Sequence, residues 1–159
     1  MEESIGNLWI LAKDGATDAV VITTNGFVKS SGEAVLGKGI ALQARNRWPD
    51  LEARLGAALS RFGNRPFRFR MSGLESDLVT LPTKPAYTSD GRPGWLADSD
   101  LDLIVSGAVC LMEMADKFHW DRVVLPRPGV GAGRLDWDTV CPRLADVLDQ
   151  RFTVLSLAS

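Results

Sequence analysis

A glycine-rich stretch near the start of the chain, GEAVLGKG at residues 32–39, combines residue types that could hold an anion. Its glycines would let the backbone approach a ligand closely, and a helix beginning after it would offer unpaired N–H groups and the positive end of a dipole. The spelling also matches the loop that binds nucleoside triphosphates, but that loop continues with a Ser or Thr hydroxyl for Mg²⁺, and here the residue is Gly39. We therefore predict an anion-binding loop and no triphosphatase site, with a plain glycine-rich connection as the alternative.

A second glycine-rich stretch, GVGAG, alternates three glycines with two small residues: Gly129, Val130, Gly131, Ala132 and Gly133. Its spacing differs from the G-x-G-x-x-G pattern of dinucleotide sites. It follows a predicted strand and precedes a predicted helix, so its backbone N–H groups could line a diphosphate. Beside the first stretch, it suggests one ligand with two phosphates and no requirement for Mg²⁺.

The third candidate is a single lysine, Lys84, which stands between Thr83 and Pro85. A lysine on a proline-braced turn could bind phosphate, or act as a nucleophile if its pKa is lowered. A solvated surface lysine is the alternative, and the residues alone favour it.

Short apolar runs alternate with segments of helical spacing and predict the elements that would position these candidates. Strands are predicted at residues 7–12, 19–24, 67–71, 78–83, 122–127 and 152–157. Predicted helices are one from Ile40 to Trp48, one entered at Pro49 with a buried face of Leu51, Leu55, Leu59 and Phe62, one capped by Asp98 or Ser99, and one starting at Asp138 or Thr139. The alternation predicts an α/β fold whose largely parallel or mixed sheet is covered on both sides.

All three candidate loops follow predicted strands, at residues 19–24, 78–83 and 122–127. In open α/β sheets, ligands bind at the carboxyl ends of the strands. If the three strands are neighbours, the three loops converge on one crevice.

The composition is that of one globular domain spanning residues 1–159. A net charge of −2 argues against a broadly basic nucleic-acid platform, and it favours a solvated face for the arginines that follow one another at Arg45, Arg47, Arg54, Arg61, Arg65, Arg68 and Arg70. Cys110 and Cys141 are isolated, and His119 alone cannot build a histidine-rich metal site. No run approaches a membrane span, and the acidic N-terminus lacks the pattern of a signal peptide. We therefore predict a cytoplasmic, monomeric protein with reduced thiols and with no metal, cofactor or membrane partner.

Taken together, these loops resemble those of the macro domain family, whose members bind ADP-ribose. VITTNGFVKSSGEAVLGKGIALQ resembles the family's strand, asparagine and glycine loop, and PRPGVGAGRLDW resembles its phosphate-binding loop and the Trp after it. LGKGIA at residues 36–41 and PTK at residues 82–84 are similar to the branch that holds terminal ADP-ribose protein glycohydrolases and DNA ADP-ribosyl glycohydrolase antitoxins. The resemblance covers residues 7–157. It implies a three-layer α/β/α fold around a mixed, largely parallel six-stranded sheet.

The resemblance also implies roles for individual residues. Lys84 matches the catalytic lysine of the branch, which acts at C1″ of the distal ribose. The residues expected to bind ADP-ribose are Asn25, Gly37, Lys38, Gly39, Ile40, Thr83, Gly129, Val130, Gly131, Ala132 and Gly133. Among these, Asn25 should face the distal ribose, and residues 129–133 should supply backbone N–H groups to the diphosphate. Trp137 is expected to pack within the fold, and either Asp14 or Asp18 could accept the adenine amino group or be a surface charge.

One departure concerns Gly133, which stands where the protein-directed members of the family carry a catalytic Asp. Here Asp136 and Asp138 come only after the loop. The expected function is hydrolysis of the bond between ADP-ribose and an acceptor, with an acidic protein side chain as the first acceptor and a DNA base as the second. A non-catalytic ADP-ribose reader and a phosphatase of ADP-ribose 1″-phosphate are the alternatives.

Overall fold

A computed structural model describes residues 1–13 and 15–157 and shows a single six-stranded sheet in the order β1-β6-β5-β2-β4-β3. The strands are β1 (Glu2–Ile5), β2 (Ala19–Asn25), β3 (Phe67–Phe69), β4 (Asp77–Lys84), β5 (Val123–Pro126) and β6 (Phe152–Ser156). Every neighbouring pair is parallel except β3 with β4, which is antiparallel. The sheet is therefore mixed and largely parallel, as predicted.

Helices cover both faces of this sheet. They are α1 (Leu8–Ala12), α2 (Gly39–Arg47), α3 (Leu51–Phe62), α4 (Leu101–Phe118) and α5 (Trp137–Ala145). Successive residues of β2 point to opposite faces, so that Val20 and Ile22 pack with α1, α2 and α3 while Ala19 and Val21 pack with α4 and α5. The run of apolar residues in β2 is thus explained by burial on both faces, as expected of a central parallel strand. The three-layer α/β/α fold is confirmed.

The N-terminal segment differs from its prediction. The strand predicted at residues 7–12 is wrong, because Leu8–Ala12 forms helix α1. The side-chain oxygen of Asn7 accepts the backbone N–H groups of Trp9 and Ile10, at 2.9 and 3.3 Å, and so caps the helix start. The sixth strand is instead β1, whose sequence EESI is exposed and carries no apolar alternation. Its register is set by pairing with β6, from Glu2 opposite Thr153 to Ile5 opposite Ser156.

The predicted helix starts are also corrected by the caps. Helix α4 is capped by Asp100, whose Oδ1 accepts from the N–H groups of residues 102 and 103, and neither Asp98 nor Ser99 caps it. Helix α5 is capped by Asp136 and already includes both residues predicted to start it, Asp138 and Thr139. Phe62 is 58% exposed and so does not belong to the buried face of α3. The cap of α4 thus lies after the residues predicted for it and the cap of α5 lies before the predicted start, because caps depend on backbone geometry that periodicity does not report.

Two features are absent from the described residues. No helix there is long and apolar enough to span a bilayer. No three His, Cys, Asp or Glu side chains in residues 1–13 and 15–157 lie together in a way that could hold a metal ion.

Candidate functional site

A cavity of about 710 Å³ opens at the carboxyl edge of the sheet. Strands β5, β2 and β4 are consecutive and parallel there, so the three loops that follow them leave the same edge. The structure therefore brings together every residue predicted for the site, since all of them line this cavity: Asn25, Gly37, Lys38, Gly39, Ile40, Thr83, Lys84, Gly129, Val130, Gly131, Ala132 and Gly133. Their contact with a ligand stays a prediction.

The first loop, residues 26–38, is held by hydrogen bonds to Asn25 at the end of β2 and to Glu52 of α3. Asn25 donates its amide to the carbonyl of Val35 at 3.0 Å and accepts the N–H of Phe27 at 3.0 Å. Glu52 of α3 accepts the N–H of Leu36 through its carboxylate, at 2.9 Å, and Leu36 is fully buried. The loop runs into α2, whose preceding residue Lys38 makes no side-chain cap. The first turn of α2 therefore meets the cavity without a side-chain cap from Lys38 on its N–H groups.

The second glycine loop turns tightly over residues 129–133. Gly129 and Gly131 have φ angles of 79° and 77°, in the left-handed region that favours glycine. Residues Gly131–Gly133 form a short 3₁₀ turn, which closes when the N–H of Arg134 donates to the carbonyl of Gly131 at 2.9 Å. The loop is tied to the start of α4, because the N–H of Ser99 donates to the carbonyl of Gly133 at 2.9 Å.

Lys84 is the last residue of β4 and is half-buried at the cavity wall. Its ammonium donates to the carbonyl of Trp95 at 3.2 Å. Its own carbonyl accepts the side-chain amide of Asn64, at 3.0 Å, and the N–H of Gly26, at 3.2 Å. The hairpin that leads to Trp95 is held against the strand end, because Gly94 packs so closely on the carbonyl of Pro85 that a Cβ would collide with it.

The surroundings of Lys84 favour its neutral form. Burial lowers the pKa of the Lys84 ammonium, and the positive charges of Lys38 and Arg134 lower it further. The carboxylate of Asp98 raises this pKa but does not offset the other effects. Asp98 is itself paired with Arg134, at 3.1 Å. A lysine whose pKa is lowered in a cleft has the property required of an amine nucleophile.

The charged side chains that line the cavity, among residues the structure describes, are all basic: Lys38, Lys84 and Arg127. No Asp or Glu of the described chain lines it. Asp136 lies outside because it caps α5, where its Oδ1 accepts the N–H of Asp138 at 3.2 Å. A Cβ built on Gly133 would collide with the hydroxyl oxygen of Ser99, so a longer side chain has no room there either. The cavity is thus suited to an anionic ligand.

Sequence reasoning missed the far wall of the cavity. That wall is formed by Gly6, Asn7, Leu8 and Trp9 at the start of α1, by Gln43 of α2, and by Leu155 and Leu157 at the end of β6. The indole N–H of Trp9 donates to Gln43 Oε1 at 2.8 Å, and the guanidinium of Arg47 lies 4.5 Å from the Trp9 ring centre. The miss follows from the strand predicted at residues 7–12. The signal that could have prevented it is Asn7 before an apolar run, which is a helix-capping pattern.

Two further residues that the sequence singled out, Asp18 and Trp137, lie outside the cavity. The carboxylate of Asp18 accepts the N–H groups of Asp121 and Arg122, at 2.7 and 2.9 Å, beside the amino end of β2, and Asp18 does not line the cavity. Asp18 therefore lies away from the cavity, which agrees with the surface-charge alternative, and Asp14 lies outside the described residues. Trp137 does not line the cavity; its indole donates to Glu3 at 2.9 Å and its ring packs under Arg127.

The sequence of this chain is similar to those of two curated proteins. The chain is 30% identical over 139 residues to the DNA ADP-ribosyl glycohydrolase of Mycobacterium tuberculosis, and equally to that of Mycobacterium bovis. These alignments cover 84% of this chain but only 36% of each relative, so the chain spans about a third of the curated proteins that it matches. No protein-family model matches the chain.

Solved structures share the fold over almost the whole chain. The macrodomain of Mycobacterium tuberculosis DarG superposes with a TM-score of 0.76 at 26% identity, covering 99% of this chain and 97% of that one. The macrodomain of Thermus aquaticus DarG gives a TM-score of 0.73 at 24% identity, covering 99% and 97%. Thermosipho africanus DarTG in complex with ADP-ribose gives 0.74 at 19% identity, covering 99% of this chain and 42% of that one.

Proposed function

From the macrodomain fold that this chain has, and from its similarity to the macrodomains of DNA ADP-ribosyl glycohydrolases, we propose that it binds ADP-ribose in the cavity and hydrolyses the bond that joins ADP-ribose to an acceptor. The observation that carries the proposal is the lining of the cavity. It combines two glycine loops with three basic side chains, Lys84 among them, and with no carboxylate of the described chain. This arrangement fits a diphosphate with a reacting sugar.

The ligand is proposed to lie along the carboxyl edge of the sheet. The diphosphate occupies the loop of residues 129–133, opposite the first turn of α2. The terminal ribose lies beside Asn25 and Lys84, which pair in the register of β2 and β4. The remaining wall, at the start of α1 and the end of β6, is then left for the adenine. Leu8 and Leu155 supply apolar surface there, and Asn7 supplies an amide.

Lys84 is proposed to act at C1″ of the terminal ribose. Its neutral amine attacks C1″, so that the Nζ–C1″ bond forms as the bond from C1″ to the acceptor breaks. The acceptor leaves with the bonding electron pair and takes up a proton. Water then cleaves the Nζ–C1″ bond and returns the amine, and the net reaction is hydrolysis. Positioning by the glycine loops supplies much of the rate in such a mechanism, and no metal ion is required.

The acceptor favoured by the relatives is DNA, since the curated proteins at 30% identity carry the name DNA ADP-ribosyl glycohydrolase. The acidic protein side chain expected from the sequence is the second candidate. Stabilisation of the departing group by Lys84, without a covalent bond, is the alternative mechanism. A location in the cytoplasm and a monomeric state stay predictions.

The experiment compares release of ADP-ribose from an ADP-ribosylated DNA strand and from a glutamate-ADP-ribosylated protein. Wild type, Lys84→Ala and the control Lys117→Ala are assayed in parallel, because Lys117 is an exposed lysine of α4 outside the cavity. Release from DNA by wild type and by Lys117→Ala, with loss in Lys84→Ala, is the expected result. Release from the ADP-ribosylated protein but not from DNA would show that the acceptor is a protein side chain. Binding of ADP-ribose without release from either substrate would show that the domain is a non-catalytic reader. A covalent adduct on the Lys84 peptide, seen by mass spectrometry, separates attack from stabilisation.

A further inference from the structure

One buried polar atom at the cavity lacks a partner. Within the described chain, the only buried side-chain oxygens or nitrogens without a hydrogen bond are Oδ1 of Asn64 and the hydroxyl of Ser99. Ser99 is 8% exposed and lines the 710 Å³ cavity, whereas Asn64 does not line it. An unpaired buried hydroxyl is costly, and native structures retain few of them. The hydroxyl of Ser99 therefore needs an explanation.

Backbone hydrogen bonds hold Ser99 between the glycine loop of residues 129–133 and the end of the strand that carries Lys84. The N–H of Ser99 donates to the carbonyl of Gly133, at 2.9 Å, at the end of the glycine loop. The N–H of the next residue, Asp100, donates to the carbonyl of Thr83, at 2.8 Å, one residue before Lys84. Asp100 then caps α4. Ser99 thus sits where the strand that carries Lys84 meets the glycine loop.

Two glycines make the room for this serine. A Cβ on Gly129 would lie 3.2 Å from the Cβ of Ser99, and a Cβ on Gly133 would collide with its hydroxyl oxygen. The fold needs small residues at both positions, but it does not need the hydroxyl itself, because an alanine at 99 would fill the same space around the Cβ. Packing therefore explains a small residue at position 99, but it does not explain a hydroxyl that makes no hydrogen bond within the protein.

We propose that the hydroxyl of Ser99 is a ligand contact that hydrogen-bonds to an oxygen of the terminal ribose. The assignment to this end of the ligand follows from the backbone links of residues 99 and 100 to Gly133 and Thr83, which place Ser99 between the glycine loop and the residue that precedes Lys84. Because the hydroxyl is buried, the contact requires a small adjustment of the glycine loop around the ligand, and no atom lies within 4 Å of a Cβ built on Gly131 in that loop. The proposal rests on the proposed function.

The test measures binding and stability of Ser99→Ala against wild type. Calorimetry gives the Kd of ADP-ribose and of ADP, which shares the diphosphate and adenosine but lacks the terminal ribose. Thermal unfolding of the empty proteins gives their Tm. The control is Ser106→Ala, since Ser106 is an exposed serine of α4 and lies outside this cavity.

In Ser99→Ala, the Kd of ADP-ribose should rise about tenfold, in the range of one lost hydrogen bond, while the Kd of ADP stays unchanged. The Tm of the empty protein should be equal or higher, because an unpaired hydroxyl has been removed. Ser106→Ala should match wild type in both ligands.

Three results would overturn the role of Ser99. An unchanged Kd for ADP-ribose removes the contact. An equal loss for ADP and ADP-ribose moves it away from the terminal ribose. A Tm lowered by several degrees in the empty protein shows a structural bond instead. Failure of wild type to bind ADP-ribose at all would refute the proposed function first, and the role of Ser99 with it.

Discussion

The substitution Gly133→Ala tests how closely the glycine loop is fitted to α4. Gly133 does not have a φ angle in the left-handed region, so an alanine suits its backbone. The cost is steric, because the added Cβ would collide with the hydroxyl of Ser99 and lie 3.0 Å from its Cβ. Ser99 cannot easily retreat, since its N–H is bonded to Gly133 and the following N–H to Thr83.

Overpacking of this kind costs about 1–3 kcal/mol. For a chain of this size, that corresponds to a Tm lowered by roughly 2–4 °C for each kcal/mol. Relief of the collision must move the Ser99 side chain or push the loop away from α4, and both Ser99 and the loop line the cavity. We therefore expect Gly133→Ala to lose at least about tenfold in affinity for ADP-ribose, or about 1.4 kcal/mol.

A double-mutant cycle with Ser99→Gly isolates the collision. Thermal unfolding should show that Gly133→Ala costs little once residue 99 has no side chain. Gly131→Ala is the matched comparison: nothing lies within 4 Å of its added Cβ, but its φ of 77° strains an alanine. Its cost, about 1 kcal/mol, should persist in the Ser99→Gly background. The reasoning is refuted if Gly133→Ala unfolds like wild type, or if Ser99→Gly rescues both alanines equally.

Three other predictions concern charge and capping. Lys38→Ala should raise the pKa of Lys84 and move the rising limb of the kcat–pH profile to higher pH, because the neutral amine forms as pH passes that pKa; an unshifted limb would exclude this coupling. For Asp77, burial raises the carboxyl pKa, but hydrogen bonds from two arginines and Trp120 lower it more, so that the net pKa lies below its ordinary value. Asp77→Asn should therefore lower the free energy of unfolding in urea by about 2 kcal/mol at pH 7. The difference from wild type should vanish as acid protonates the wild-type carboxylate below about pH 3.9. A difference that persists in acid would show a packing effect instead. Asn7→Ala should cost about 1 kcal/mol through the lost cap of α1, and an unchanged urea midpoint would contradict that role.

The centre of the fold was accessible to sequence reasoning for a physical reason. Strands β2, β4 and β5 are buried on both faces, so their sequences are short runs rich in Val, Ile, Leu and Thr that stand out from helical spacing. The edge strand β1 is exposed and held by pairing with β6 alone, and it has no such pattern. Helix α1 spans five residues, too few for periodicity to separate it from a strand.

The site shows the same division. Glycine loops and Lys84 could be found because their residue types are unusual at strand ends, and parallel topology then brings them to one edge. Ser99 and Gln43 could not be found, since an isolated serine or glutamine has no local signal. Their place in the cavity depends on how α4 and α2 pack against the sheet. The lowered pKa of Lys84 likewise arises first from its burial and then from the charges of Lys38 and Arg134, which are distant from it in the chain.

The most direct measurement of the central claim is release of ADP-ribose from an ADP-ribosylated DNA strand by wild type and by Lys84→Ala, at equal concentrations of folded protein. The proposed function predicts turnover by wild type and its loss in the variant, with ADP-ribose still bound by both. Equal turnover by the two proteins would contradict the role of Lys84. Absence of turnover by wild type on DNA and on ADP-ribosylated protein alike would contradict the enzyme itself.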